Sequence, residues 1–215
     1  MLLQGKIDSS EVNGPGKRAV IWFQGCSLNC IGCHNPDTHR FDTSKFVLNE
    51  DIHSWILNLE DVEGITFSGG EPMQHVIDLI DLIRHIKDVR PDLTIGMFTG
   101  YTQRELETGN WSTMHPLGFL GHGTSGIWMR IAETLDFAVM GRFNLSRMTT
   151  TKPLCGSTNQ DVVLFSDRYT AKDFKPQSVQ VTISGEGLVR ITGYPGVEFL
   201  DAVKKQNSVW AEQLS

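Results

Sequence analysis

Three cysteines stand close together near the start of the chain, with the spacing C-x3-C-x2-C. They are Cys26, Cys30 and Cys33, all within eight residues. Three thiols on one short loop cannot all pair as disulfides, but their thiolates can converge on an iron–sulfur cluster. A [4Fe–4S] cube takes four ligands, so three cysteines leave one iron open. An open iron can bind and activate a small molecule.

A zinc ion is the alternative occupant of these thiols. Structural zinc sites normally take four protein ligands, and Cys155 or His34 could supply the fourth. Cys155 is also the kind of lone thiol that packs as a small buried hydrophobe. A fourth cysteine would block the open iron of a cluster, so we leave Cys155 out of the ligand set.

A second motif, Ser-Gly-Gly-Glu-Pro at 68–72, follows a predicted strand about 35 residues after Cys33. Its two glycines let the backbone come close to a ligand, and its carboxylate can hold an ammonium group. Ligands of open α/β sheets bind at the carboxyl ends of parallel strands. The position of the motif therefore speaks for a binding site and against zinc.

The two motifs in this order resemble the radical S-adenosylmethionine (SAM) superfamily. Within it, segments 13–18 and 25–39 resemble the activating enzymes of glycyl-radical enzymes, with the activase of anaerobic ribonucleotide reductase as the nearest likeness. Segments 94–101 (TIGMFTGY) and 156–160 (GSTNQ) are similar to further segments of the same group. The resemblance covers roughly the first 165 residues.

The resemblance implies roles for residues beside the cluster. Gly69, Gly70 and Glu71 contact the amino group of SAM in this reading, and Gly32 and His34 lie against its adenine side. His34 has a simpler alternative role as a cap of the cysteine loop. Members of the superfamily often have an aromatic residue before the last cysteine, whereas this chain has Gly32, which the reductase activases tolerate.

The chemistry implied by the resemblance needs no catalytic acid or base from the protein. The open iron binds SAM through its amino nitrogen and carboxylate, and an external reductant such as flavodoxin lowers the cluster to its +1 state. SAM then splits into methionine and a 5′-deoxyadenosyl radical. That radical abstracts a hydrogen from the Cα of a glycine in a partner glycyl-radical enzyme, here expected to be anaerobic ribonucleotide reductase.

Two departures from the activase pattern keep other hypotheses open. The segment 139–141 reads Val-Met-Gly where the subgroup often has Val-Asp-Gly, and Cys155 stands where an arginine often precedes Gly-Ser. A second hypothesis is therefore a radical SAM enzyme that modifies a small molecule or a peptide. A third is a non-catalytic iron–sulfur protein, against which the Gly-Gly-Glu motif speaks.

Composition limits the partners. The 215 residues are 40% hydrophobic and 20% charged, with a net charge of −6. This charge argues against broad binding of nucleic acid or anionic membranes. No apolar run approaches the roughly 20 residues of a membrane span, and the N-terminus lacks a signal pattern. We expect a cytoplasmic protein, in which clustered cysteines are metal ligands more often than disulfides.

The elements that position the motifs alternate along the chain. Hydrophobic patterns predict helices at 49–59 and 74–89, and strands at 19–24, 64–68, 93–101, 136–140 and 161–165. Such alternation indicates an α/β fold with a parallel sheet. The chain is too short for eight strand–helix units, which take about 250 residues. We therefore predict a partial, open (β/α) barrel of the radical SAM type.

The C-terminal part has a different pattern. We predict a radical SAM core over 1–165 and an appendage over 166–215 on the same domain, which is too small for its own core. Strands at 179–184 and 188–192 around Gly-Glu-Gly indicate a β-hairpin, and 197–214 a closing helix. The glycine-rich loop 109–126 is either a lid or partner-docking loop or a passive insertion.

Overall fold

The computed structural model describes residues 1–114, 120–176, 179–183 and 189–194. Within these ranges the α-helices are α1 (Asn49–Leu57), α2 (Val76–Val89), α3 (Gln103–Glu107) and α4 (Ser125–Ala132). The strands are β1 (Leu3–Ser10), β2 (Arg18–Phe23), β3 (Gly64–Gly69), β4 (Thr94–Thr99), β5 (Ser112–Met114), β6 (Leu120–His122), β7 (Phe137–Met140), β8 (Asp161–Leu164), β9 (Val179–Ile183) and β10 (Val189–Gly193).

A six-stranded sheet with the order β1-β2-β3-β4-β7-β8 forms the centre of the fold. Strands β2, β3, β4 and β7 run parallel, and helices cross over between successive members. The apolar face of α2 is buried at Leu79, Leu82 and Ile86, which explains its strong helical periodicity. The predicted α/β class is confirmed, and the predicted strands match β2, β3, β4 and β7 to within a few residues.

The two outer strands are antiparallel to their neighbours. β1 pairs with β2, and β8 pairs with β7. The expectation that the strand at 161–165 joins the parallel set is wrong. Only a short 3₁₀ helix, Leu145–Arg147, lies between β7 and β8. Parallel neighbours are usually joined by a crossover helix, and this connection lacks one, so β8 is added to the sheet as an antiparallel edge strand.

The glycine-rich segment contains more structure than its sequence suggests. β5 and β6 pair as a small antiparallel hairpin, and α4 begins at Ser125. Trp111 is buried beside Tyr101, with 6.4 Å between ring centroids. Residues 115–119 of this segment lie outside the described residues. The described part is thus anchored to the end of β4.

The tail forms the predicted hairpin, since β9 and β10 pair antiparallel. The hairpin lies against β1: the Glu11 N–H donates to Gln180 Oε1 at 3.0 Å, and Gln180 Nε2 donates to Ser9 O at 3.5 Å. The predicted turn at 185–187 and helix at 197–214 lie outside the described residues. No α-helix of the described ranges has the length and apolarity needed to cross a membrane.

A fully buried arginine, Arg18 of β2, makes hydrogen bonds to residues of β3 and β4. Its Nε donates to Thr66 Oγ1 at 2.7 Å, and its Nη1 donates to Thr94 Oγ1 at 2.7 Å. Nη2 donates to the carbonyls of Ile65 and Thr94, at 2.9 and 3.1 Å. The guanidinium also lies 5.0 Å from the ring centroid of Phe137. Hydroxyls, carbonyls and an aromatic face thus take the role of a carboxylate partner.

We expect Arg18→Lys to lower the free energy of unfolding by about 2 kcal/mol. An ammonium keeps the charge but cannot reproduce the planar set of donors, so buried acceptors lose their partners. Urea unfolding followed by circular dichroism measures the change. The exposed Arg84→Lys is the matched control and should stay within about 0.5 kcal/mol of wild type. An Arg18→Lys protein as stable as wild type would contradict this account.

Candidate functional site

The carboxyl ends of the four parallel strands open into one cavity of about 460 Å³. Each strand is followed by a segment that contributes to its wall. The segments are Cys26–Asn35 after β2, Ser68–Glu71 after β3, Thr99 and Gly100 after β4, and Gly141 and Phe143 after β7. The two motifs found in the sequence therefore meet at one edge of the sheet, as expected for ligand sites of parallel sheets.

The cysteine loop is wound tightly enough for all three thiols to line this cavity. Cys26 is buried, while Cys30 and Cys33 are half-buried. The turn closes where the Cys33 N–H donates to Cys30 O at 3.1 Å. Asn29 and Gly32 take left-handed backbone conformations, with φ of 45° and 74°. These two residue types adopt such a conformation most readily.

Backbone N–H groups face each of the three sulfurs. Asn35 N–H donates to Cys33 Sγ at 3.4 Å, Leu28 and Asn29 face Cys26, and Phe143 faces Cys30. Burial raises the pKa of the Cys26 thiol to about 12 and raises the pKa values of Cys30 and Cys33, while these N–H groups lower them. Sulfurs with N–H donors in a half-enclosed cavity fit cluster ligands, since such bonds stabilise bound thiolates.

Cys155, the remaining cysteine, lies elsewhere. It is buried in a small apolar cluster with Phe137, Val139, Leu154 and Phe174. Within the described residues, no three His, Cys, Asp or Glu side chains are arranged to hold a single metal ion. A cube presents a different iron to each thiolate, so its ligands need not converge on one point. Three thiols without a fourth cysteine fit a cube with one open iron.

The two glycines of the second motif allow one backbone to approach another. A Cβ atom at Gly70 would lie 2.2 Å from Gly25 O, and one at Gly69, where φ is +96°, would lie 2.6 Å from Phe23 N. The N–H groups of Gly70 and Glu71 donate to Phe23 O and Gly25 O, at 2.8 and 3.0 Å. Glycine at both positions therefore allows the motif to pack directly against the residues that lead into the cysteine loop.

Glu71 connects the ends of two neighbouring strands from a position that is 1% exposed. Its Oε1 accepts from Thr99 Oγ1 at 2.8 Å and from Met73 N at 3.0 Å, and its Oε2 accepts from Gly100 N at 2.7 Å. Burial raises the pKa of Glu71 to about 7, although these donors oppose the shift. The Glu71 carboxyl lies in the cavity wall, but its oxygens already accept hydrogen bonds from three donors of the protein.

Gln74 is a site residue that the sequence did not reveal. It is fully buried, and its Oε1 accepts from Ser27 N at 3.0 Å. Its Nε2 donates to Ser27 Oγ at 2.6 Å and to Tyr101 OH at 2.9 Å. Gln74 thereby joins the cysteine loop to the end of β4. A glutamine in a predicted amphipathic helix carries no local signal of this role.

Arg142 is a second such residue, placed directly after β7. Its Nη1 donates to both carboxylate oxygens of Glu105, at 2.8 and 2.9 Å, and its guanidinium lies 5.5 Å from the ring centroid of Tyr101. Its charge lowers the pKa values of Cys30 and Glu71, against the larger effect of burial. Arg142 is thus a fixed positive charge beside the cysteine loop.

His34 belongs to an aromatic group at the cavity wall. Its ring centroid lies 4.8 Å from that of Phe143 and 5.1 Å from that of Tyr194, with both pairs edge to face. Burial lowers the pKa of His34, so its imidazole is neutral at pH 7. Gly32 is exposed, and a Cβ atom there would lie 3.1 Å from Leu145 Cδ1. The structure thus brings His34, but not Gly32, into the cavity wall.

His75 packs against the residues that immediately precede the cysteine loop. Its ring stacks on Phe23 with centroids 5.1 Å apart, and its Nε2 lies 3.4 Å from Gly25 O. Burial lowers the pKa of His75 to about 4. His75 lies directly before α2, which begins at Val76, and its side chain is buried.

We expect His75 to make the apoprotein less stable as the pH falls. The folded-state pKa of about 4 lies below the ordinary value of 6.5, so its contribution to stability is complete above pH 6.5 and declines towards pH 4. His75→Phe keeps the stacked ring and removes the titration. When the pH falls from 7 to 5, the free energy of unfolding of the variant should rise by about 2 kcal/mol relative to that of wild type, as measured by urea unfolding.

The half-exposed His39 provides a histidine-to-phenylalanine control at a position that is open to solvent. Its replacement by Phe should change the free energy of unfolding at pH 7 by less than about 0.5 kcal/mol. Parallel pH profiles for wild type and His75→Phe would show that His75 does not titrate in this window.

The fold and this cysteine-lined cavity define an iron–sulfur protein of α/β architecture. Residues 12–163 match the family described as 4Fe-4S single cluster domain, and the chain belongs to this family. A [4Fe–4S] cluster and SAM are its cofactors, as the three thiols and the family resemblance implied. The alternative hypothesis, that these cysteines bind zinc, is therefore wrong.

Its relatives carry the names of activating enzymes. The chain is 32% identical over 118 residues to the anaerobic ribonucleoside-triphosphate reductase-activating protein of Salmonella typhi, covering 52% of this chain and 77% of the relative. It is 38% identical over 96 residues to the pyruvate formate-lyase-activating enzyme of Clostridium pasteurianum, covering 40% of each. A putative glycyl-radical enzyme activating enzyme of Haemophilus influenzae is 36% identical over 84 residues, covering 38% of this chain and 32% of the relative. The predicted resemblance to radical SAM activases is confirmed.

Proposed function

We propose that this protein is a radical SAM activase that installs a glycyl radical on a partner enzyme. The observation that carries the proposal is the meeting of three thiols and the Gly-Gly-Glu motif in one cavity at the sheet edge. The names of the relatives support it, because they activate ribonucleoside-triphosphate reductase or pyruvate formate-lyase. The chain matches a larger fraction of the reductase-activating protein than of the pyruvate formate-lyase-activating enzyme. This favours anaerobic ribonucleotide reductase as the partner.

Cys26, Cys30 and Cys33 would hold the cluster, and the segment from Gly69 to Glu71 would orient SAM beside it. When bound, these cofactors supply a one-electron reductive cleavage of SAM and the abstraction of a glycine Cα hydrogen. The protein contributes binding and exclusion of water. Glu71 and Gln74 keep the strand ends in place, which fixes the position of the motif against the cysteine loop.

Several finer statements belong to the same proposal. Four parallel strands with their ligand site at one edge support a partial, open (β/α) barrel. We divide the chain into a radical SAM core over 1–165 and an appendage over 166–215. The electron would come from an external reductant such as flavodoxin. Gly32 and His34 are proposed to lie on the adenine side of SAM, although only His34 lies in the cavity wall.

A second candidate function is a radical SAM enzyme that modifies a peptide or small molecule. The observation that favours it is the contribution of the appendage to the cavity: residues 190–194 form part of the wall. The appendage would therefore contact a substrate that enters the cavity.

One experiment separates the candidates. The cluster is reconstituted anaerobically and reduced with dithionite, SAM is added, and 5′-deoxyadenosine is measured by chromatography. The anaerobic ribonucleotide reductase encoded in the same genome is then added, and a glycyl radical is sought by EPR. Both signals support the activase. 5′-Deoxyadenosine without a radical on the reductase rejects the reductase as the partner and leaves another glycyl-radical enzyme or the second candidate, and the absence of 5′-deoxyadenosine overturns both.

A further inference from the structure

The hairpin of β9 and β10 packs on the rest of the protein through its polar face. Gln180 Oε1 accepts from the Glu11 N–H at 3.0 Å, and Arg190 Nη1 donates to Lys6 O at 3.4 Å. Thr192, on the same face, is buried. In most antiparallel sheets the apolar face packs on the core and the polar face meets water. In this hairpin the arrangement is reversed.

The outer face of the hairpin is aliphatic. Successive side chains of a strand alternate between the two faces, so Val179, Val181 and Ile183 of β9 share this face. Val189 of β10 lies directly opposite Ile183. Val181, Ile183 and Val189 are 47, 68 and 54% exposed. A two-stranded hairpin is marginally stable by itself and gains stability when its apolar face packs against a helix.

The dimensions of the outer face fit one helix. A two-stranded hairpin with five residues in each strand measures about 17 Å by 10 Å. A helix with its side chains is about 10 Å wide and rises about 1.5 Å per residue, so about 11 residues cover the face. Stable association of two proteins takes about 800 Å² on each partner, which is far more than this face offers. The dimensions therefore favour a tethered segment of the same chain over a second copy.

The segment 197–214, which lies outside the described residues, has the sequence pattern of such a helix. Five of its apolar residues share one stripe at helical spacing: Phe199, Leu200, Val203, Trp210 and Leu214. Its charged residues fall on the other side: Glu198, Asp201, Lys204, Lys205 and Glu212. An amphipathic helix of this kind needs an apolar surface on which to pack.

The chain passes directly from the hairpin into this segment. β10 ends at Gly193, and Tyr194 is followed by Pro195-Gly196, a dipeptide typical of turns. A turn at this point allows the chain to reverse over the hairpin. A short tether also keeps the effective concentration of the segment in the millimolar range. A small aliphatic face is therefore sufficient to bind it.

We propose that residues 197–214 form a helix whose apolar stripe packs on the outer face of the hairpin. The same hairpin contributes residues 190–194 to the wall of the cysteine-lined cavity. The helix would thus hold this part of the wall in place from the outside. The packing does not depend on the radical chemistry of the site.

The first test replaces Ile183 in the complete chain by the photo-crosslinking amino acid p-benzoylphenylalanine. After irradiation, we expect crosslinks to residues within 197–214, found by mass spectrometry in the band with the mass of one chain. Thr182 is the matched control, since it is an exposed neighbour in the same strand. The crosslinker at Thr182 should give about tenfold less of this product, because successive side chains point to opposite faces.

Three results of this experiment would overturn the proposal. Crosslinks that join two chains would mean that a second copy covers the face. Equal yields from the two positions would mean that the segment does not prefer the outer face. Crosslinking at Ile183 without any product in 197–214 would mean that the segment lies elsewhere.

A second test observes the segment itself by fluorine NMR of protein labelled with 5-fluorotryptophan. The chain has five tryptophans, and Trp210→Phe identifies the resonance of Trp210. Ile183→Asp should move this resonance to its position in the urea-unfolded chain, because a charge on the covered face is costly. Leu57→Asp is the matched control, since Leu57 is an exposed aliphatic residue of α1, and it should leave the resonance in place.

The other four tryptophan resonances report whether the rest of the fold is intact in each variant. A Trp210 resonance that is already at its unfolded position in wild type contradicts the packing. So does a resonance that Ile183→Asp leaves unchanged.

Discussion

Cys30→Ala is expected to reduce 5′-deoxyadenosine formation by at least about a hundredfold. Cys30 is the middle ligand of the proposed set, and its sulfur lies in the cavity wall opposite the Phe143 N–H. Loss of a neighbouring group that only orients a ligand typically costs ten- to a hundredfold, so loss of the ligand itself should cost more. Two cysteines cannot hold a cube with one open iron. Iron content, the absorbance of the cluster and chromatography of the product measure the effect.

Cys155→Ala is the matched control for this experiment. The Cys155 side chain packs in the apolar cluster around Phe137 and Phe174 and is not among the residues that line the cavity. The control should keep its iron content and its turnover within about twofold of wild type, with a modest loss of stability from the small cavity it leaves. Equal loss of iron in both variants would mean that Cys155, too, is needed for the cluster.

Glu71→Ala is expected to lower the free energy of unfolding of the apoprotein by about 3 kcal/mol at pH 5. The change leaves three donors without their acceptor: the Met73 and Gly100 N–H groups and the Thr99 hydroxyl. Buried donors that lose their acceptor cost about 1–3 kcal/mol each, with partial relief by relaxation. Urea unfolding of wild type and variant over a series of pH values measures the difference.

The pH dependence gives this prediction its sign. The folded-state pKa of Glu71, about 7, lies above the ordinary value of 4.5. A raised carboxyl pKa stabilises the fold below pH 4.5, and this contribution is lost as the pH rises to 7. The advantage of wild type over Glu71→Ala should therefore shrink between pH 5 and pH 7. A difference that grows over this range would contradict an uncharged, buried Glu71.

Glu105→Ala tests whether burial, and not the number of hydrogen bonds, makes Glu71 important. Glu105 accepts from Thr102 and from Arg142, yet its side chain is partly exposed. Exposed ion pairs contribute about 1 kcal/mol or less. We expect Glu105→Ala to stay within that range. In the cluster-loaded protein, Glu71→Ala should also reduce turnover far more than Glu105→Ala, because Glu71 joins the segments that are proposed to surround SAM.

Much of this site could be predicted from local sequence. The apolar strands and the helical periodicity of α2 place the cysteine loop and the Gly-Gly-Glu motif after successive parallel strands. Parallel strands bring their carboxyl ends to one edge, so the two motifs had to meet there. The chemistry of three thiols at fixed spacing also follows from the residues themselves, since a short loop limits how far the sulfurs can separate.

Contacts between distant segments could not be predicted in the same way. Gln74 joins Ser27 to Tyr101, and Arg142 pairs with Glu105 across 37 positions of the chain. Neither pairing has a periodic signal, because polar side chains on helices and loops look alike whether they point to solvent or to a partner. The direction of β8 was predicted wrongly for a related reason, since it depends on the segment that connects β7 to β8.

The sequence by itself determined the class of chemistry and the α/β order of the elements, because both depend on residue types at short spacing. Only the tertiary structure decided which atoms face the cavity. Gly69 and Gly70 are required by the approach of Phe23 and Gly25, and the Glu71 carboxyl is held by three protein donors. Residues 190–194 lie in the wall because the hairpin packs against β1. Such neighbours, far apart in the chain, arise only when the sheet and its appendage fold together.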